Sequence, residues 1–165
     1  MKRYGYLEIS KDTLGKLLNS KELRMYRDKK DAFIEQRKEV THFVILINEN
    51  GISFRIDNVP LQEDDTHWEI DRLSVNIDSD TRQEELTFID SFLKPQIRLY
   101  REIYEIGSRI HKNEIDNIEA DSAIFIQDQN KSVFIRCYDA ASLEVTYAEK
   151  IPDDYREIDI KKLFN

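Results

Sequence analysis

Apolar and polar residues alternate along this chain with two periods, near two and near 3.6, and the switches between them mark its elements. Tyr4, Tyr6 and the stretch from Leu7 to Ile9 read as a first strand. Ser10 then caps a helix carrying Leu14, Leu17 and Leu18. Ser20 precedes Lys21–Val40, where Leu23, Tyr26, Phe33 and Ile34 form a narrow apolar stripe beside Arg24, Arg27, Lys29, Lys30 and Lys38. That pattern predicts a second, amphipathic helix with a basic outer face.

Thr41–Asn48 is almost wholly apolar and is followed, after Asn50-Gly51, by an alternating run from Ile52 to Asp57, which predicts a hairpin with a buried first strand. After the charged loop Leu61–His67, the residues Trp68, Ile70, Leu73, Val75 and Ile77 predict a third strand, with a bulge near Arg72 where the phase slips. Thr81 and Glu84 have capping-box spacing and open the longest predicted element, a helix Glu84–His111. Leu86, Ile89, Phe92, Ile97, Tyr100, Ile103 and Tyr104 keep its period across a kink at Lys94-Pro95. A polar connector Lys112–Asp121 leads to strands at Ser122–Gln127, Ser132–Tyr138 and Leu143–Ala148, and a turn at Pro152-Asp153-Asp154 to a short helix Arg156–Phe164. The expected fold is therefore α+β, one domain over 1–165: a mainly antiparallel sheet of about six to seven strands packed by N-terminal helices and one long kinked helix.

Composition agrees with a folded chain. Eight Phe, eight Tyr and a hydrophobic fraction of 40% exceed what disorder carries, and four Gly with three Pro leave little for linkers. Cys137 is the only cysteine, so no disulfide framework is possible within one chain and a reducing, cytoplasmic setting is expected. No apolar run reaches the ~18 residues of a membrane span, and the start of the chain lacks the apolar core of a signal peptide.

Charge changes the picture more. Residues 1–40 carry eleven Lys and Arg against seven Asp and Glu, whereas the rest of the chain carries fourteen against twenty-six. Between Ile56 and Asp90, eleven carboxylates face only Arg72 and Arg82. Such a field repels nucleic acid and attracts a basic partner. It singles out Glu63, Asp64, Asp65, Glu69, Asp71, Asp78, Asp80, Glu84 and Glu85 as candidate partner-binding residues.

Catalytic and metal motifs give nothing stronger. His67 among Glu63, Asp64, Asp65 and Glu69 has metal-ligand residue types but reads as a solvated loop. Asp78-Ser79-Asp80 begins like a calcium loop, yet Ile89 stands where the closing glutamate belongs. Asp153 with Asp159-Ile160-Lys161 has the letters of a metal-dependent nuclease core, crowded into one terminal segment. No glycine-rich phosphate loop, G-x-S-x-G or H-E-x-x-H occurs, and no cofactor or metal is expected. Cys137 lies on the face of Val133 and Ile135 and reads as a buried structural thiol. On the basic segment, Glu22, Asp28, Asp31, Glu35 and Glu39 interleave the cations and read as a self-neutralising face.

The last forty-five residues carry four runs in order: Ser122 to Ile126, Val133 to Asp139, Leu143 to Tyr147, and Asp154-Tyr155-Arg156-Glu157-Ile158-Asp159. In that order they resemble a family of uncharacterised bacterial proteins regarded as immunity proteins of toxin systems, whose signature is Tyr-Asp-Asp-Arg-Gly. Here Tyr138-Asp139 is followed by Ala140-Ala141-Ser142. The resemblance and the charge map together lead to one expectation: a non-catalytic binding protein of the immunity or inhibitor type that blocks a basic partner, such as a nuclease toxin, through its acidic surface. Two alternatives stand beside it. One is a metal-dependent enzyme acting on phosphodiesters or nucleotides. The other is a phage or mobile-element accessory protein whose basic helix Lys21–Lys38 touches nucleic acid. Tyr100 and Tyr104 are candidates for a dimer interface as well as for a core.

Overall fold

The Phe43–Asn58 hairpin forms as its pattern predicts and shows why the chain folds as it does. Gly51 takes a left-handed φ of 77°, and the Asn48 side chain accepts the amides of Asn50 and Ile52, both at 3.0 Å, closing the turn. The computed structural model describes residues 2–30, 33–35, 38–62, 69–107, 115–139 and 141–164, with backbone alone at 33–35, 62, 69, 106 and 107.

In chain order the described elements are β1 (Lys2–Gly5), β2 (Glu8–Ile9), α1 (Lys11–Leu18), β3 (Glu22–Asp28), β4 (Phe33–Glu35), β5 (Lys38–Thr41), β6 (Phe43–Asn48) and β7 (Ser53–Asn58). Then come β8 (Leu61–Gln62), β9 (Glu69–Ile70), β10 (Leu73–Ile77), β11 (Leu86–Leu93), β12 (Gln96–Gly107), β13 (Ile115–Gln127), β14 (Ser132–Tyr138), β15 (Ser142–Tyr147) and β16 (Tyr155–Glu157). The first sheet has the order β16-β12-β13-β14-β15-β5-β4, with β1 alongside β13. The second has the order β11-β3-β6-β7-β10-β2, and β8 and β9 pair separately. Among the described ladders, only β1 with β13 and β2 with β10 are parallel.

The two sheets pack face to face as a β-sandwich. Leu23, Met25, Val44, Leu46, Phe54, Ile56 and Phe92 from the second sheet meet Leu99, Ile124, Ile126, Val133, Ile135 and Val145 from the first in one core. The chain passes between sheets through short links. β5 runs into β6 across His42, and β11 turns into β12 at Lys94-Pro95, where Lys94 has φ 48°. At the edge of the sandwich, the Tyr147 hydroxyl donates to Asp90 Oδ2 at 2.6 Å and Lys131 Nζ lies 3.4 Å from Asp90 Oδ1, tying β11 to the first sheet.

This overturns the expected helix-packed α+β architecture. Helix α1 is present, with Ser10 Oγ accepting the Thr13 amide at 3.1 Å. The expected helix Lys21–Val40 is instead β3, β4 and β5: Leu23 and Met25, two apart, are both fully buried, while Arg24 between them is exposed. The long kinked helix is β11 and β12. Leu86–Leu93 pairs residue by residue with Glu22–Asp28 and Gln96–Gly107 with Ile115–Gln127, and Phe92 is 0% exposed beside Leu93 at 68%, in keeping with the alternation of a strand. Pro95 sits in the link between sheets, where the chain leaves one ladder before joining the next. Most of the expected connector before Ser122 is the first half of β13, and the C-terminal helix is β16 followed by a single 3-10 turn, Ile160–Lys162. Residues 108–114, including the expected helix end at His111, lie outside the described residues. Among the described residues, no helix is long and apolar enough to cross a membrane.

Candidate functional site

Cross-strand register places three rows of side chains on the outer face of the second sheet. One row runs Phe88–Tyr26–Ile45–Arg55–Asn76, a second runs Leu86–Asp28 with Phe43–Asp57–Ser74 continuing the face, and a third runs Ser91–Arg24–Ile47–Ser53. Tyr26, Phe43 and Ile45 form an apolar cluster with Ile47 and Leu86 packed against it, so Ile45 is 1% exposed despite its place on an outer face.

The connection from β10 to β11, residues 78–85, crosses this face. Its ends belong to strands separated by β7, β6 and β3, a span of about 19 Å at ordinary strand spacing. At one end the Asp78 amide donates to the Ser53 carbonyl at 2.8 Å, and at the other the Lys29 amide donates to the Glu85 carbonyl at 3.0 Å. In between, Arg55 reaches up from β7: Nη1 donates to Thr81 Oγ1 at 3.3 Å, and Nε donates to Asp57 Oδ2 at 3.0 Å. The same guanidinium lies 4.2 Å from the centre of the Phe43 ring. Burial works against the charge of Asp78, but hydrogen bonds from the Thr81 hydroxyl and the Asp80 and Thr81 amides, with Arg55 nearby, outweigh it and hold the carboxyl below its ordinary value. Thr81 thus serves Arg55 and Asp78, where its spacing to Glu84 suggests a capping box; Gln83–Glu85 is a single 3-10 turn.

On this strap Asp80, Glu84 and Glu85 are exposed. Glu84 and Glu85 form no ion pair among the described residues. The other residues picked out by charge do not join them. Asp71 stands before β10 and Asp78 after it, so the five-residue strand holds them about 20 Å apart. Glu69 lies on β9, opposite Gln62. Glu63, Asp64 and Asp65, with His67, lie outside the described residues. The sequence run of carboxylates is therefore divided in space, and its 78–85 part is the portion gathered on one surface.

Asp71 belongs to a different neighbourhood, one that sequence reading misses. Glu102 on β12 is half-buried and accepts from Ser122 Oγ at 3.5 Å. Burial first, then the charge of Asp154, raises its carboxyl pKa, with Asp71 adding to the shift and Arg136 and Tyr155 opposing it. Burial, Glu102 and Asp71 push the Tyr104 phenol up to about 12. Burial, Asp71 and Glu102 likewise raise the Cys137 thiol, which stays protonated at neutral pH. Arg136 completes the array with a two-point pairing to Glu144 at 3.1 and 3.3 Å. Among the described residues, no group of three or more His, Cys, Asp or Glu comes together in a way that would hold a metal ion.

The cations of the expected basic helix are also dispersed. Arg27 pairs with Glu39 at 3.2 Å, Arg24 faces Ser91 and Ile47 across neighbouring strands, and Lys38 lies 4.0 Å from Glu144 on the first sheet. They share no helical face, and the nucleic-acid reading that rested on one loses its basis. No family model, no curated protein and no solved structure matches this chain.

Proposed function

We propose that the protein is a binding protein of the inhibitor or immunity kind, which captures a basic protein partner on the acidic strap 78–85. The observation that carries this reading is the pair Glu84 and Glu85, exposed and without an ion pair among the described residues, on a segment tied to the sheet at both ends and at its middle. The strap carries Asp78, Asp80, Glu84 and Glu85 against Arg82 alone, which leaves it net negative. A partner's Lys and Arg gain from an anchored backbone there, because little loop ordering remains to oppose association. Phe88, 54% exposed and edge-on to Tyr26 at 5.5 Å, lies just beyond the strap and supplies the aromatic anchor that protein interfaces favour inside a charged rim.

The C-terminal resemblance to immunity proteins supports the same class, and its aligned runs fall on β13 to β16. The lone, buried thiol of Cys137 fits a reducing cytoplasm.

The test is capture of basic proteins from a host lysate at low and at high salt, with wild type and with a variant carrying Asp80→Lys, Glu84→Lys and Glu85→Lys. The reading expects one basic protein in near-equal amount, released by salt and not held by the variant. Equal capture by the variant, or an empty bait, refutes it.

A further inference from the structure

The strands that end the two main sheets are short, with one exception. β2 has two residues and β4 and β16 have three each, whereas β11 has eight. A long edge strand presents a row of unpaired backbone donors and acceptors to any other strand, and short edges are one way in which a fold avoids this. β11 is too long for that safeguard.

Its pairing with β3 shows which groups stand on the free edge. The Lys94 amide donates to the Lys21 carbonyl at 2.7 Å, and the Lys29 amide to the Glu85 carbonyl at 3.0 Å. Counting inward from these two pairs, every second residue bonds to β3, with Ile89 as the extra residue of a bulge. The amides and carbonyls of Leu86, Phe88, Ser91 and Leu93 are left pointing outward, and no described strand pairs with them.

One of these outward donors is occupied. Asp90 Oδ1 accepts the Ser91 amide at 2.8 Å, which sets the carboxylate on the free edge near its middle. Two side chains of the first sheet's strands and turns hold it there. The Tyr147 hydroxyl, from β15, donates to Oδ2 at 2.6 Å, and Lys131 Nζ, from the turn before β14, lies 3.4 Å from Oδ1. A strand approaching this edge would have to displace a charged group from three partners.

Without that group the edge is complementary to itself. A two-fold axis between residues 89 and 90 sets β11 antiparallel to the β11 of a second copy and carries the outward residues onto one another. Leu86 then stands opposite the second copy's Leu93, Phe88 opposite its Ser91, and Glu85 opposite its Lys94. Leu93, 68% exposed in the single chain, gains an apolar neighbour, and the acidic end of each strand meets the basic end of the other. We propose that Asp90 guards β11 against a second copy of this chain, and that the two edges pair antiparallel once the carboxylate is removed.

The test is sedimentation equilibrium of the full chain at neutral pH, from micromolar to near-millimolar concentration. The wild type is expected to stay monomeric throughout. Asp90→Ala is expected to move toward twice the monomer mass as concentration rises. Asp90→Ala combined with Leu93→Lys is expected to return to the monomer mass, because a charge again stands on the pairing edge. Circular dichroism checks that each variant is folded. If Asp90→Ala is not, Tyr147→Phe, a change at an exposed side chain that frees one carboxylate oxygen, is expected to give the same shift in smaller measure. A dimeric wild type, a folded Asp90→Ala or in its stead Tyr147→Phe that stays monomeric at every concentration, or a dimer that Leu93→Lys leaves intact would overturn the proposal.

Discussion

The Arg55 guanidinium holds Thr81 at 3.3 Å with one nitrogen and Asp57 at 3.0 Å with another, so one side chain of β7 fixes the middle of the strap to the sheet beneath it. The packing of Arg55 on Phe43 adds an apolar contact to these polar ones.

Replacing Arg55 by Gln therefore removes the central tie and leaves the end ties intact. The expected cost is about 1–2 kcal/mol in urea denaturation, with limited proteolysis shifting to residues 78–85. Wild-type resistance at the strap would show that the end hydrogen bonds suffice.

Phe92 and Leu93 make a sharper test of the strand assignment. Phe92→Ala empties a fully buried site and is expected to cost roughly 3–5 kcal/mol, whereas Leu93→Ala changes stability by no more than about 0.5 kcal/mol. Comparable losses at both positions, measured by denaturation, would be incompatible with β11.

Asp90 and Glu102 give opposite pH dependences. Burial disfavours the Asp90 charge, but the Tyr147 hydroxyl, the Ser91 amide and Lys131 overcome that and depress its folded pKa. Its contribution is present above the unfolded value near 3.8 and is lost as pH falls through the folded one. Asp90→Asn should lose about 1 kcal/mol at neutral pH and nothing in strong acid. Glu102, raised chiefly by burial and then by Asp154, carries a penalty for its charge above the folded pKa, relieved as pH falls toward the unfolded value near 4.5. Glu102→Gln should thus flatten the stability profile between pH 7 and 4, a range that denaturation series at fixed pH cover. A profile as steep as wild type would argue that Glu102 is solvated.

Cys137, with its thiol raised by burial and two carboxylates, is expected to resist iodoacetamide at pH 8 in the native protein and to react in urea. Rapid native alkylation would place it at the surface.

Turn chemistry made part of this fold legible in the sequence. Asn50-Gly51 between an apolar and an alternating run identifies the β6–β7 hairpin, and Ser10 identifies α1. β12 was obscured because it is covered on both faces: Ile97 and Leu99 point into the core, while Tyr100 packs outside it with Phe125, Phe134 and Tyr155. A strand apolar on both sides has no clean period of two, and its residues also satisfy helical spacing. The β-branched residues Ile97, Ile103 and Ile106 after Pro95 are the signal for strand that the sequence offers. Carboxylate density located the strap, but proximity in sequence placed Asp71 with Asp78, which β10 separates. Tyr4 and Tyr6 are two apart and so share a strand face by period alone, while their alignment with Arg101 depends on parallel pairing to β13 that no local pattern encodes.

The association rate of the protein with its captured partner, measured from low to physiological ionic strength, tests the role of the strap most directly. Steering by Asp80, Glu84 and Glu85 predicts a fast rate that falls steeply with salt, and a slow rate that no longer falls with salt when all three are replaced by Lys, because the reversed charge repels the partner and salt screens that repulsion. A rate that ignores salt in wild type, or is unchanged by the three replacements, would contradict it.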